Sequence, residues 1–496
     1  MVSLTEHPDN LTGMSDRFAD RRRRLAEVVG DSGVAIVPAA TEVTRNYDVN
    51  HEFRQDSAFH YLTGFHEPDA VAVLTPGHDE GDYTLFVLPK DPSQEVWTGI
   101  RTGTEGATTS FGADKAYEVS QLDDVLERLL IGREVIWYQT GSGPLDGKVT
   151  AAIDRARAHR ERFGGVVPSM VKDVSVPIGE MMLFKDADEI ISMRRACDLT
   201  VDGHMEAMRF AEPGMKEYQI QAALEYYWRL GGSPRNGYPS IVASGANACV
   251  LHYVSNDATV GPDDLLLIDA AAEFEGYSSD ITRTFPANGR FTAPQKAIYE
   301  VVLAAQERGL ELCHPDSTLR QVHDSSTRIL VEGMVELGLL PGPVEDSLAM
   351  HHYTEFFMHG TSHWLGLDVH DRGSYRVDGK PRPLAAGMVF TVEPGIYVAP
   401  DKAEVELTML AYDLDEWNER RIRLGKTAAS ALEKEEKEKA EKVKHTVPSE
   451  LLGIGVRIED DVLIVGGGVE NLTARVPKDI LSVEALCAES PTLPRG

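Results

Sequence analysis

Apolar positions along the chain follow two rhythms. Up to about residue 180, short β-prone runs at 34–37, 70–74, 83–88 and 134–138 alternate with helical spacing such as 121–130. That alternation predicts an α/β domain over residues 1–180. The stretch 171–180, with Pro177 and Gly179, reads as a boundary, because Asp186 and Glu189 then form a capping-box pattern ahead of a long amphipathic helix. A second domain is predicted over 181–496. Its later half is rich in short β-runs broken by glycine, among them 265–269, 388–392 and 453–459, which predicts a curved, mostly antiparallel sheet flanked by helices. The class expected for the whole chain is α+β.

Two charged segments stand apart from these rhythms. Residues 431–445, ALEKEEKEKAEKVKH, set Glu433 four places before Lys437, Glu435 before Lys439 and Glu438 before Lys442, the spacing of an exposed, ion-paired helix. A solvated insertion, an oligomer contact and an active-site cover are all compatible with it. The run Arg21 to Arg24 lies among Asp16, Asp20 and Glu27, which predicts the solvated face of an N-terminal helix.

Composition narrows the classes of partner. A net charge of -30 over 496 residues opposes binding to nucleic acid or to an anionic membrane, since phosphate affinity comes from clustered Lys and Arg. Cys197, Cys249, Cys313 and Cys487 are scattered without a CxxC pair, so neither a disulfide framework nor a thiolate zinc site is expected, and reduced thiols suit a cytoplasm. The start, MVSLTEHPDNLTGMSD, lacks a basic segment followed by an apolar core. No apolar run approaches the ~18 residues of a membrane span, so a soluble, unexported protein is expected.

Chemistry enters through four pieces. The run LLLID delivers Asp269, and after a turn near Gly276 the run YSSDITRTF delivers Asp280. If the two runs pair as a hairpin, both carboxylates enter one cleft, where cations would neutralise charges that low dielectric otherwise penalises. A lone Asp beside a turn is more often a cap or turn partner. The second piece, FMHGTSHWLGLDVHD, supplies His359, His363 and His370, while Gly360 and Gly366 oppose an uninterrupted zincin-type helix and predict a loop at a strand edge. The third and fourth, FTVEPGIY and GIGVRIEDD, place Glu393 and Glu459 at the ends of apolar β-runs, where an unpaired carboxylate is costly. Four carboxylates and one imidazole form an oxygen-rich set suited to two harder divalent ions.

LIDAAAEFEGYSSDITRTF, HGTSHWLGLDVHD, TVEPGIY and GVRIEDD resemble the ordered motifs of the pita-bread metallopeptidases, and of their Xaa-Pro aminopeptidase branch in particular. FRQDSAFHYLTGF, from Phe53, resembles that branch's creatinase-like N-terminal domain. The resemblance implies that Asp269 chelates one metal, Asp280 and Glu459 bridge two, and His363 and Glu393 bind the other, with Mn2+ preferred. It implies Glu393 as a proton shuttle, with His252 and His370 orienting the substrate. It further implies a prolyl pocket drawn from His359, Val369, Tyr397 and Arg457, although Val369 and Tyr397 also suit plain β-core packing. Trp97 and Asp48 match positions that approach a neighbouring subunit's active site, so a homodimer or homotetramer is expected.

The implied activity is release of the N-terminal residue from peptides with proline second. A prolidase, restricted to Xaa-Pro dipeptides, is the nearest alternative, and a non-catalytic peptide-binding relative is a further one. Between Glu393 and Glu459 the chain departs from shorter family members by an insertion of about 402–446, expected to loop out of the sheet.

Overall fold

The computed structural model describes residues 11–141 and 143–495, the first six of these through their backbone alone. The N-terminal stretch whose composition argues against export therefore lies, over residues 1–10, outside the described residues. The chain divides into two compact units, Met1–Met182 and Leu183–Gly496.

In the first unit, strands β1 (Gly33–Pro38), β2 (Val71–Leu74), β3 (Tyr83–Val87), β4 (Lys115–Glu118), β5 (Val135–Trp137) and β6 (Met170–Lys172) form one mixed sheet in the order β4-β3-β2-β1-β5-β6. Helices α1 (Leu11–Val29), α2 (Ser57–Thr63), α3 (Leu122–Leu130) and α4 (Leu145–Phe163) accompany it. The central strands are buried on both faces, which is why they read as continuous apolar runs. One expectation fails in α1. Arg21 and Arg22 are buried; their guanidiniums lie over the rings of Tyr61 and Tyr83 and donate to the carbonyls of Tyr61 and Leu62. Arginine is weakly hydrated and planar, so it tolerates this stacked burial, and only Arg23 is left fully on the solvated face.

The second unit opens with α5 (Ala187–Phe210), whose capping box is made by Asp186 and Glu189 as the sequence predicts. It packs on α6 (Glu217–Leu230). Antiparallel strands β7 (Ile241–Ser244), β8 (Leu265–Asp269) and β9 (Thr282–Pro286) follow, in the order of their numbers. Helices α7 (Ala293–Glu311) and α8 (Leu319–Glu336) precede the ribbon of β10 (Arg376–Val377) and β11 (Lys380–Pro381). Strand β12 (Val389–Val392) and strand β13 (Gly395–Val398) then carry the third motif.

The inserted segment begins with β14 (Glu404–Thr408), continues through helices α9 (Leu414–Leu424) and α10 (Lys426–Lys439), and returns as β15 (Lys442–Thr446), antiparallel to β14. The predicted single helix over 431–445 is therefore corrected: it ends at Lys439, and its last residues form a strand whose Lys442 and Lys444 pair with Glu406 and Glu404. Of the three expected pairs only Glu435–Lys439 forms; Glu433 turns instead to Arg421 on α9. Nor does the whole segment loop outward. Val405 and Leu407 alternate inward from β14 and join the core with Ile396, Val398 and residues of α7 and α8. The chain closes the site with β16 (Ile454–Arg457), paired to β13, and β17 (Asp460–Val465), paired to β12 and to β18 (Gly468–Asn471).

Candidate metal centre

The carboxylates converge because of register. Asp269 ends β8 opposite Thr282, the first residue of β9, so Asp280 stands two residues before that pairing. The turn between them runs through Glu275 and Gly276, both with positive φ, which glycine adopts freely. A single hydroxyl, that of Tyr238, lies 2.5 Å from one oxygen of Asp269 and 2.5 Å from one of Asp280. Burial and the two flanking carboxylates push that phenol well above its ordinary value, so it keeps its proton.

Glu459 reaches the same place through a bridge to β9. Its amide donates to the Thr282 carbonyl at 3.0 Å, and the Thr282 hydroxyl donates to Glu459 Oε2 at 2.6 Å. Arg283, fully buried, clamps the junction by donating to the Glu459 carbonyl and to Asp460. Successive side chains in an extended run point to opposite faces. Glu459 and Asp461 therefore face the centre, while Asp460 meets Arg283, Lys478 and Gln306 behind it.

His363 arrives on an extended segment beside β12. Its amide bonds Thr391 Oγ1, its carbonyl accepts from the Thr391 amide, and Trp364 bridges Phe390. His363 Nδ1 sits 3.0 Å from the Trp364 carbonyl, so Nδ1–H donates there and Nε2 is turned toward the carboxylates, able to bind a cation once its own proton is displaced. That Nε2 lies 3.3 Å from Asp280 and 3.6 Å from Glu393. Glu393 itself follows β12, held by its amide to the Thr361 carbonyl. Ligand atoms of Asp280, His363 and Glu459 all fall within 4.8 Å of one another.

The electrostatics of this cluster test what it is built to hold. Burial, reinforced by the neighbouring acids, drives Glu459 well above the carboxylate range and brings Glu393 up to about 7. Asp269 is also raised by burial, although Arg457 opposes the shift. Burial alone would lower His363, but its hydrogen bond to Asp280 and the charges of Glu393 and Asp280 hold it at about 9. When all four are ionised, Asp269, Asp280, Glu393 and Glu459 set four negative charges against the Arg457 guanidinium and a protonated His363, an excess of two. Two divalent cations would offset that excess, and the oxygen-rich donor set with one imidazole fits them.

The remaining predicted residues take distinct positions. Arg457 is buried and spends its donors on Asp269, Thr282 and the Tyr397 hydroxyl. Tyr397 is buried too, 2.8 Å from His359 Nε2, and His359 Nδ1 lies 3.6 Å from Glu393. Burial, with Arg457 nearby, lowers His359 to about 3, so it stays neutral. His370 is exposed and packs edge-on against His363 at 4.3 Å, with Val369 half-buried beside it. His252 is exposed and near enough to both His359 and His370 to disfavour their charged forms. Trp97, 83 % exposed on the short helix Pro92–Thr98, and Asp48, in an exposed turn, belong to the first unit.

Sequence reasoning passes over Tyr238, Thr282 and Asp461. Asp461 accepts from Ser279 Oγ, the Asp280 amide and Cys197 Sγ, and burial followed by the Asp280 charge pushes it up to about 8. The three consecutive acids 459–461 were a usable signal for it, since strand alternation alone puts Asp461 on the face of Glu459.

Comparison with known proteins agrees with this geometry. Residues 192–465 match the model of metallopeptidase family M24, and residues 18–137 match the aminopeptidase P N-terminal domain. The chain is 39% identical to an Escherichia coli Xaa-Pro aminopeptidase over 95% of its own length and 97% of that protein, and 36% identical to one from Haemophilus influenzae over the same shares. A Pseudomonas aeruginosa aminopeptidase structure superposes with a TM-score of 0.84 at 41% identity, covering 96% of this chain and 98% of that one. A zinc-substituted E. coli aminopeptidase P in complex with product gives 0.84 at 38% identity, covering 95% and 98%. Carboxylate spacing, imidazole orientation and similarity over nearly the whole chain lead to one conclusion: the chain belongs to metallopeptidase family M24, in its pita-bread aminopeptidase P branch.

Proposed function

We propose that the protein is a Xaa-Pro aminopeptidase that removes the N-terminal residue from peptides with proline second, using two divalent cations, Mn2+ foremost. Asp269, Asp280, His363, Glu393 and Glu459 are the proposed ligands. The observation that carries this reading is the gathering of Asp280, His363 and Glu459 donor atoms within 4.8 Å, amid an excess of buried negative charge. Divalent cations held there would supply Lewis acidity toward the scissile carbonyl and acidify water.

The chain's own residues supply the rest. Glu393, 3.6 Å from both His363 Nε2 and His359 Nδ1, is placed to take a proton and to pass it to the departing prolyl nitrogen. A prolyl nitrogen is a tertiary amide and leaves only once protonated. His252 and His370, both exposed beside the cluster, orient the peptide, while neutral His359 and half-buried Val369 offer the ring a wall. Arg457 and Tyr397 hold Asp269 and His359 in place from behind. Trp97 and Asp48 are proposed to serve a neighbouring subunit's site in a homodimer or homotetramer, in the cytoplasm. Among the described residues no helix is long and apolar enough to cross a membrane.

Asp280→Ala tests the reading. Elemental analysis should show lost metal, circular dichroism an intact fold, and Xaa-Pro-Xaa hydrolysis a fall of at least about 100-fold, the upper range for removing an outer partner of a metal ligand. Undiminished turnover, or a wild-type enzyme that cleaves only Xaa-Pro dipeptides, would overturn it.

A further inference from the structure

The segment 363–365 lies antiparallel to β12, with Trp364 opposite Phe390. The His363 carbonyl accepts from the Thr391 amide, and the Leu365 amide donates to the Val389 carbonyl. Backbone groups alternate in such a pairing, so Trp364, between these two residues, turns its own amide and carbonyl away from β12. Trp364 is 1% exposed, and buried backbone groups need partners within the protein. Both partners come from one short stretch. The Trp364 amide donates to the Tyr375 hydroxyl at 3.1 Å, and the Asp371 amide donates to the Trp364 carbonyl at 2.9 Å. That carbonyl also takes the Nδ1–H of His363.

Tyr375 holds Trp364 a second time through its ring, which stacks on the indole at 5.2 Å and 17°. Its own place is set by the ribbon it opens: β10 pairs with β11, and the Arg382 amide closes the base on the Tyr375 carbonyl at 2.9 Å. A side chain outside the proposed ligand set therefore fixes the residue whose carbonyl orients the only imidazole in that set. We infer that Tyr375 is a positioning residue for the metal centre: by pinning Trp364 it sets the direction in which His363 presents Nε2, and with it the affinity for the cation that imidazole would hold. The inference rests on the proposed role of His363 as a ligand. Without the hydroxyl the Trp364 amide loses its acceptor, the residue is free to tilt, and its carbonyl swings out of line with His363 Nδ1. Outer partners of metal ligands act in this way, through the orientation of the imidazole.

Chelator competition on the full-length, Mn2+-loaded protein reads the affinity for each of the two cations without reference to peptidase activity. Tyr375→Phe keeps the ring on Trp364 and removes only the acceptor. It should weaken one cation about tenfold and leave the other unchanged. Tyr375→Ala should weaken the same cation further; Tyr375 is 45% exposed, so this truncation leaves no closed cavity in the core. In Co2+-loaded protein the visible absorption, which follows ligand geometry, should shift in Tyr375→Phe. Met334→Ala serves as the control, because Met334 is fully buried in the separate core that holds Leu330 and Leu339 and its truncation destabilises the fold without reaching Trp364. Both cations should stay as tightly held there as in the wild type. Equal affinities in Tyr375→Phe and wild type, equal weakening of both cations, or the same loss in Met334→Ala would overturn the inference. Peptide turnover separates it from the proposed activity: a wild type that binds both cations but leaves Xaa-Pro-Xaa intact defeats the activity, whereas active Tyr375→Phe with unchanged affinities defeats only the role of Tyr375.

Discussion

Lys185 and Asp371, 186 positions apart, form an ion pair at 2.8 Å with each side chain 1% exposed. Lys185 stands at the entry to α5, its amide held by the Gly387 carbonyl, and Asp371 closes the loop that carries His370, its amide donating to the Trp364 carbonyl. Gly366 shows how tight the junction is: a Cβ there would sit 2.1 Å from Asp371 Oδ2 and 3.0 Å from Lys185 Cε. Lys185→Ala strands a buried carboxylate without its cation, which costs roughly 3–5 kcal/mol. The double variant Lys185→Met with Asp371→Leu removes both charges and should recover most of that loss, because neither side chain is left to be desolvated alone. Urea unfolding of the metal-loaded protein, followed by tryptophan fluorescence, reads both. With a slope of about 3 kcal/mol/M, the single variant should lower the midpoint by about 1–1.7 M. Its peptidase activity should fall too, since the loop positions His370 against His363. A single variant within about 0.5 kcal/mol of wild type, or a double variant no better than the single, would refute the reasoning.

Glu217 is fully buried and accepts from the Ser244 amide and hydroxyl, Asn247, Tyr253 and the Ala258 amide, which together fold the segment carrying His252. Burial pushes its carboxyl up, but the Ser244 bonds and the other donors outweigh that and hold it below its ordinary value. Its stabilisation is therefore present above the unfolded carboxylate pKa and lost as pH falls through the lower folded value. Glu217→Gln should cost roughly 1–3 kcal/mol, show a flatter acid-denaturation profile and raise KM through a looser His252; an unchanged profile would count against the account. Trp417 stacks on Tyr412 at 3.9 Å, Tyr412 stacks on His351 at 4.0 Å, and the Lys437 ammonium lies 5.2 Å from the Trp417 ring. Trp417→Ala should cost roughly 3–5 kcal/mol of local stability, seen as faster hydrogen exchange across 413–446 with the rest of the second unit unaffected; exchange spread evenly over that unit would contradict it.

Much of the molecule was legible in one dimension because its signals are local. The α5 capping box needs three residues, the paired runs ending in Asp269 and Asp280 need a turn, and the apolar strands of the first unit declare themselves by continuity. Four candidate ligands were recognisable as carboxylates in or beside apolar β-runs, and His363 as one of a cluster of imidazoles at a strand edge. Tertiary structure alone decided what each charge meets. Thr282 reaches Glu459 across 177 residues and Arg457 reaches Asp269 across 188, so no periodicity could foretell those bonds. The same holds where expectation failed: spacing by four made Glu433 a partner for Lys437, but Arg421 on the adjoining helix takes it, and the stacking rings of Tyr61 and Tyr83 draw Arg21 and Arg22 inside. Sequence pattern determines which residues can share a face of one element; packing between distant elements determines which of those faces is desolvated, and desolvation decides whether a charge is surface decoration, a structural clamp or part of a metal centre.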